Sequence, residues 1–162
     1  MSESIPLTIE EAKETFREFL RESTDYERGN VITENDSYTS YFCTDKKTGE
    51  IFQYVRMKAV GMSQYEAIMK FLTLCHAAYS TNSMFLMPLR AFIVDEDLTY
   101  VTDCYPYGNL HDLLFSDSDV LLTPTHKTVI AMCVAYGCMK LHEKGFFHRL
   151  LNSHNIYLND EK

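Results

Sequence analysis

The segment His148–Leu158, which reads H-R-L-L-N-S-H-N-I-Y-L, constrains this chain more than any other stretch. It follows closely on the turn His142-Glu143-Lys144-Gly145. Upstream, Thr123 and Pro124 favour a helix start, because threonine caps a helix and proline suits its first position. Apolar faces on that helix are supplied by Val129, Ile130, Cys133, Val134, Gly137 and Leu141. The sequence therefore predicts a long helix, a glycine turn and a loop with fixed polar spacing.

This loop resembles the catalytic loop of protein kinases, usually written H-R-D-L-K-x-x-N-I-x-L, and the H-x-x-G turn precedes it in that family. Laid over the pattern without gaps, the chain retains His148, Arg149, Leu151, Asn155, Ile156 and Leu158. Leu150 stands at the catalytic aspartate, and Asn152 at the lysine two residues on. The resemblance implies an α+β fold with a kinase-like small lobe, an antiparallel five-stranded sheet plus helix C. Helices D and E of a large lobe would follow.

The two substitutions remove groups that phosphoryl transfer uses. The loop carboxylate accepts the proton of the attacking hydroxyl, which the side chain of Leu150 cannot do. The lysine faces the transferred phosphate as a charge, whereas the amide of Asn152 donates only an uncharged hydrogen bond. Asn155, which in the family binds the second magnesium ion, is the polar group that remains.

The resemblance covers about residues 25–158 and implies a small lobe over 25–103. The hinge, helices D and E and the catalytic-loop segment would occupy 104–162. Only Asn159–Lys162 follow the loop, so we expect a truncated large lobe without D-F-G, the activation segment or A-P-E.

Residues 1–24 are predicted to form a separate N-terminal element. Thr8, followed three residues later by Glu11, makes a capping box. Apolar residues then recur at helical spacing: Ile9, Ala12, Phe16, Phe19 and Leu20. We expect an amphipathic helix over residues 9–22 that packs on the domain, with a partner-binding helix as the alternative.

The segment Asp25–Glu50 resembles strand 1, the glycine-rich loop and strand 2 of the small lobe, closed by a D-K-K-T-G-E turn. The three glycine positions hold other residues, Thr33, Asn35 and Tyr38. Glycines there let backbone amides approach phosphate oxygens, and Tyr38 at the tip would crowd that space. Glu34 and Asp36 add negative charge. These residues favour a plain hairpin over a phosphate-binding loop.

Strand 3 is predicted over Ile51–Lys58, with Val55 at the position of the family's phosphate-clamping lysine. Because side chains alternate along a strand, Arg56 and Lys58 should point to the opposite face from Val55. Residues 63–75 are expected to form helix C. There Glu66 or, by one register step, Tyr65 takes the position of the lysine's glutamate partner, and Glu66 is expected to be solvated.

Strands 4 and 5 are expected between Met84 and Thr102, split by the turn at residues 95–97. The stretch Tyr100–Leu110 is similar to the kinase hinge I-V-T-E-Y-M-P-N-G-S-L, with His111–Phe115 beginning helix D. By resemblance, Thr102 is the gatekeeper, and the backbone of Asp103 and Tyr105 would face an adenine. Backbone recognition survives side-chain change, so ATP binding at the hinge is not excluded, whereas magnesium is not expected.

The formal net charge of −8, from 23 acidic and 15 basic residues, argues against nucleic acid or an anionic membrane as the main partner. Five scattered cysteines without a C-x-x-C pair indicate reduced thiols. The N-terminus lacks a basic and an apolar signal region, and no apolar run reaches membrane-spanning length. We therefore expect a cytoplasmic protein.

The residues favour a degenerate kinase-like domain, a pseudokinase or truncated paralogue, that acts as a binding or regulatory module. The alternative is part of an active ATP-dependent protein kinase completed by a missing segment or partner. A third reading is a relic without a biochemical role. Helix E should expose an apolar face, which predicts a protein partner, self-association or aggregation.

Overall fold

The computed structural model describes residues 5–95, 97–115 and 122–159. The chain divides into two compact units, Met1–Cys104 and Tyr105–Lys162. The first unit contains a five-stranded antiparallel sheet in the order β1-β2-β3-β5-β4. Its strands are β1 Tyr26–Glu34, β2 Tyr38–Asp45, β3 Ile51–Met57, β4 Ala91–Ile93 and β5 Thr99–Asp103. The predicted α+β class and the five-stranded sheet are confirmed.

Short polar side chains close the two hairpins of this sheet. Asn35 Oδ1 accepts hydrogen bonds from the amides of Ser37 at 2.8 Å and Tyr38 at 3.0 Å, which turns β1 into β2. In the next turn, Asp45 Oδ1 accepts the amide of Lys47 at 2.7 Å. Gly49 then adopts a φ of +76°, which glycine tolerates without steric cost.

Helix α2, Gln64–Thr81, packs on one face of the sheet. It begins at Ser63, whose side chain caps it, and it extends six residues past the predicted end at residue 75. Phe71, Leu72 and Cys75 are fully buried. The helix stops at Asn82, which takes the left-handed conformation that asparagine tolerates better than most residues.

Two hydrophobic clusters lie on opposite faces of the sheet, because neighbouring residues of β4 alternate between them. Phe92 joins the α2 side, where its ring lies 5.3 Å from that of Phe71 and 5.1 Å from that of Phe16. The other face holds Tyr26, Cys43, Tyr54, Ala91, Ile93 and Val101. Burial there raises the pKa of the Cys43 thiol to about 12, so it stays protonated at neutral pH.

The N-terminal segment joins the first unit and is less helical than predicted. Helix α1 spans Ile9–Thr15, so the expected helix over 9–22 is wrong beyond Thr15. A 3₁₀ turn follows, after which Leu20 pairs with Phe92 of β4. The Arg21 amide donates to the Phe92 carbonyl at 3.1 Å. The open edge of β4 offers backbone hydrogen bonds, so the chain becomes extended there.

The second unit contains α3, Leu110–Phe115, and α4, Pro124–Glu143. Thr123 accepts the His126 amide at 3.2 Å and Pro124 takes the first helical position, as predicted. After α4 the chain returns to the α3 end of the unit. There Leu110 donates to the Ile156 carbonyl at 2.8 Å, and Leu158 to the Gly108 carbonyl at 3.1 Å. None of the described helices is both long and apolar enough to cross a membrane.

Phe16→Ala should lower the free energy of unfolding by about 3–5 kcal/mol, because the ring is fully buried against Phe92 and Tyr79. Urea denaturation followed by circular dichroism measures this. Leu7→Ala is the control, because the Leu7 side chain is 62% exposed. This change should lower the free energy of unfolding only slightly. Equal losses for the two variants would contradict the packing of α1 on the sheet.

Candidate functional site

The catalytic-loop segment is held by side-chain amides. Asn155 Nδ2 donates to the Leu150 carbonyl at 2.8 Å, across five residues. Asn152 Oδ1 accepts the His154 amide at 3.0 Å and caps a 3₁₀ turn over Ser153–Asn155. Two of the predicted site residues, Asn152 and Asn155, therefore shape the loop that carries Leu150.

Leu150 projects from this loop with 67% of its surface exposed. The Leu150 amide donates to the His148 carbonyl at 2.8 Å, which forces Arg149 between them to a φ of +61°. A non-glycine residue in this region costs on the order of 1–3 kcal/mol. The chain thus adopts a strained, specific turn around a side chain that has no oxygen or nitrogen atom.

Aromatic side chains attach this loop to the rest of the second unit. The rings of His111 and His154 stack with centroids 3.8 Å apart, and Ser153 Oγ lies 3.4 Å from His111 Nδ1. The ring of Tyr105, a predicted hinge residue, lies 5.5 Å from that of Tyr157. Sequence reasoning missed His111 and Ser153 as loop supports, since no motif links residues 42 positions apart.

The β1–β2 hairpin departs from the prediction at its tip. Tyr38 was expected at the tip but is the first residue of β2, paired with Met57, so that prediction is wrong. The turn is made by residues 35–37, because the Asn35 side chain closes it early. Thr33 lies within β1, opposite Ser40.

The negative charge beside this hairpin has a partner. Glu34 Oε1 lies 2.8 Å from Lys58 Nζ, and that hydrogen bond holds the pKa of the Glu34 carboxyl below its usual range. The Lys58 amide also donates to the Ser37 carbonyl at 2.8 Å. Lys58 therefore ties β3 to the hairpin.

Val55, at the position of the family's lysine, is 1% exposed and lies opposite Ser40 and Tyr100. Tyr100 packs in the α2 cluster, so Val55 shares the α2 face of the sheet. Arg56 is on the other face, as predicted, with Nη1 3.5 Å from Asp97 Oδ2. Arg56 and Lys58 are instead paired with the carboxylates of Asp97 and Glu34.

Glu66 lies in the first turn of α2. Its Oε2 accepts hydrogen bonds from the Ser63 amide at 2.7 Å and from Ser63 Oγ at 2.8 Å. These bonds lower the pKa of the Glu66 carboxyl. Tyr65, the other candidate, is 66% exposed. Glu66 is the one carboxylate in the sequence of α2, and it caps the helix start.

The end of β5 carries two of the predicted hinge residues, Thr102 and Asp103. Thr102 is fully buried opposite Gln53, and the Asp103 carboxylate receives two bonds from Arg90, at 2.6 and 2.9 Å. Gln53 is 5% exposed and shares a face with Val55, two residues along β3. It was not a predicted site residue, although the spacing from Val55 could have identified it.

The described residues contain no group of three or more His, Cys, Asp or Glu side chains that could hold a metal ion. At the family's magnesium position, Asn155 uses its amide nitrogen to hold the loop. Magnesium is normally bound through carboxylates together with substrate phosphates.

The sequence profile of protein tyrosine and serine/threonine kinases matches residues 39–162. The chain belongs to this family. The match covers most of the chain and begins in β2, just after the hairpin that lacks the family's glycines. This kinase-family chain thus carries Val55, Thr102 and Leu150 inside the matched region. No curated protein sequence matches the chain.

Val55→Lys should lower the free energy of unfolding by about 3 kcal/mol or more, because the ammonium would be buried without a carboxylate partner. Burial would lower the folded-state pKa of this lysine below its ordinary value of about 10.4. The unfolded chain then binds more protons, so stability should rise with pH over that interval. Urea denaturation across the alkaline range measures both effects.

Val55→Met is the matched control, since it lengthens the side chain without adding charge. Val55→Met should lower the free energy of unfolding by less than Val55→Lys does. It should add no pH dependence to that free energy. A Val55→Lys chain as stable as Val55→Met would mean that a carboxylate reaches the site, contrary to the capping role of Glu66.

Proposed function

We propose that this kinase-family chain is a catalytically silent domain that acts by binding other proteins. The observation that carries the proposal is Leu150, an exposed apolar side chain at the position of the base. The hydrogen bond from Asn155 to the Leu150 carbonyl fixes the conformation of the loop. The exposed side chain of Leu150 in that loop cannot accept a proton. A general base alone contributes about 10²–10⁴-fold to such reactions.

The cations at the end of β3 support the same proposal. Phosphoryl transfer depends on positive groups that neutralise the phosphates. Arg56 and Lys58 are each paired with a carboxylate, Asp97 and Glu34. Recruiting either one to a nucleotide would break its ion pair and, for Arg56, would need a change of strand face. Groups that act together lose most of their effect when one is removed, so restoring a single missing group should recover little activity.

Nucleotide binding, in this proposal, is weak and uses the hinge backbone. Ser40, Gln53, Val55 and Thr102 are all buried on the same face of the sheet. Gln53 fills space directly beside Thr102, where an adenine next to the hinge would need room. A nucleotide bound beside the hinge would gain few contacts and no charge pairing. Magnesium should therefore not raise its affinity.

The binding role is proposed for the outer surface of α4. Four apolar side chains on this helix are 41–66% exposed, Val129, Met132, Tyr136 and Met139. Phe147, just after the helix, is 66% exposed and packs against His142. Contiguous exposed apolar surface of this kind marks interaction sites in soluble proteins. The acidic net charge of the chain favours a protein over a nucleic acid as the partner.

Leu150→Asp alone should restore no phosphotransfer, because the lysine of strand 3 and the loop lysine are still missing. The measurement is incorporation of labelled phosphate from ATP into the chain and a mixed peptide library, beside an active kinase. Leu150→Asn is the matched control, with nearly the same shape and no carboxylate. Higher phosphotransfer by Leu150→Asp than by Leu150→Asn would contradict the proposal that several independent losses silence the site. It would favour the alternative of an active kinase.

ATP should raise the thermal midpoint of the chain by no more than about 1–2 °C at a millimolar concentration. A dissociation constant near that concentration stabilises the native state by about 0.4 kcal/mol. Magnesium should leave the shift unchanged. A differential scanning fluorimetry titration with and without magnesium measures this.

Gln53→Ala should enlarge the shift caused by ATP by opening space beside Thr102, whereas Gln53→Met, which fills similar volume, should not. Equal shifts in the two variants would contradict the role given to Gln53. A large, magnesium-dependent shift in the unaltered chain would overturn weak nucleotide binding.

A further inference from the structure

We draw no further inference here: the strongest candidate, the aromatic groove between α2 and β4 in which Phe16 packs against Tyr79 and Phe92, is filled by the chain's own N-terminal segment, and nothing in the structure shows that another partner takes its place.

Discussion

The first unit depends on the packing around Phe92. Its fully buried ring lies between Phe16 of the N-terminal segment and Phe71 of α2, and so joins three parts of the chain. Its backbone carbonyl also accepts a hydrogen bond from the Arg21 amide, and this bond extends the edge of the sheet. Aromatic pairs at these separations add to the burial of apolar area. This packing holds α2 against one face of the sheet. On β3, that is the face that carries Val55.

The kinase architecture persists here because it is specified by backbone hydrogen bonds, caps and buried apolar contacts, while phosphoryl transfer needs particular charged side chains. Asn155 still donates to the backbone at residue 150, although that residue is now leucine. Arg149 adopts the left-handed conformation in this turn. Val55, predicted at the position of the family's lysine, is a buried apolar side chain that requires no charged partner on α2.

The sequence predicted the sheet, α3, the start of α4 and the side of Arg56, because alternation, capping and turn residues act over a few positions. Tyr38 was expected at the tip of the hairpin but begins β2, because the Asn35 side chain accepts the amides of Ser37 and Tyr38 and closes the turn. The sequence prediction was wrong about the helix over 9–22, where pairing with β4 outweighs helical spacing. The stacking of His111 on His154 could not be predicted, because it depends on tertiary contact between distant segments. The assignment of Val55 and Leu150 to positions of the family pattern comes from the sequence and remains a prediction.

The central proposal is that this member of the kinase family carries out no phosphoryl transfer. Intact-mass analysis of the purified, unaltered chain after prolonged incubation with ATP, magnesium and peptide substrates tests it most directly. The account predicts that neither the chain nor any peptide gains the mass of a phosphate above a protein-free reaction. Phosphate incorporation that increases with chain concentration and is lost in Asn155→Ala would contradict it, because such activity would have to come from this loop.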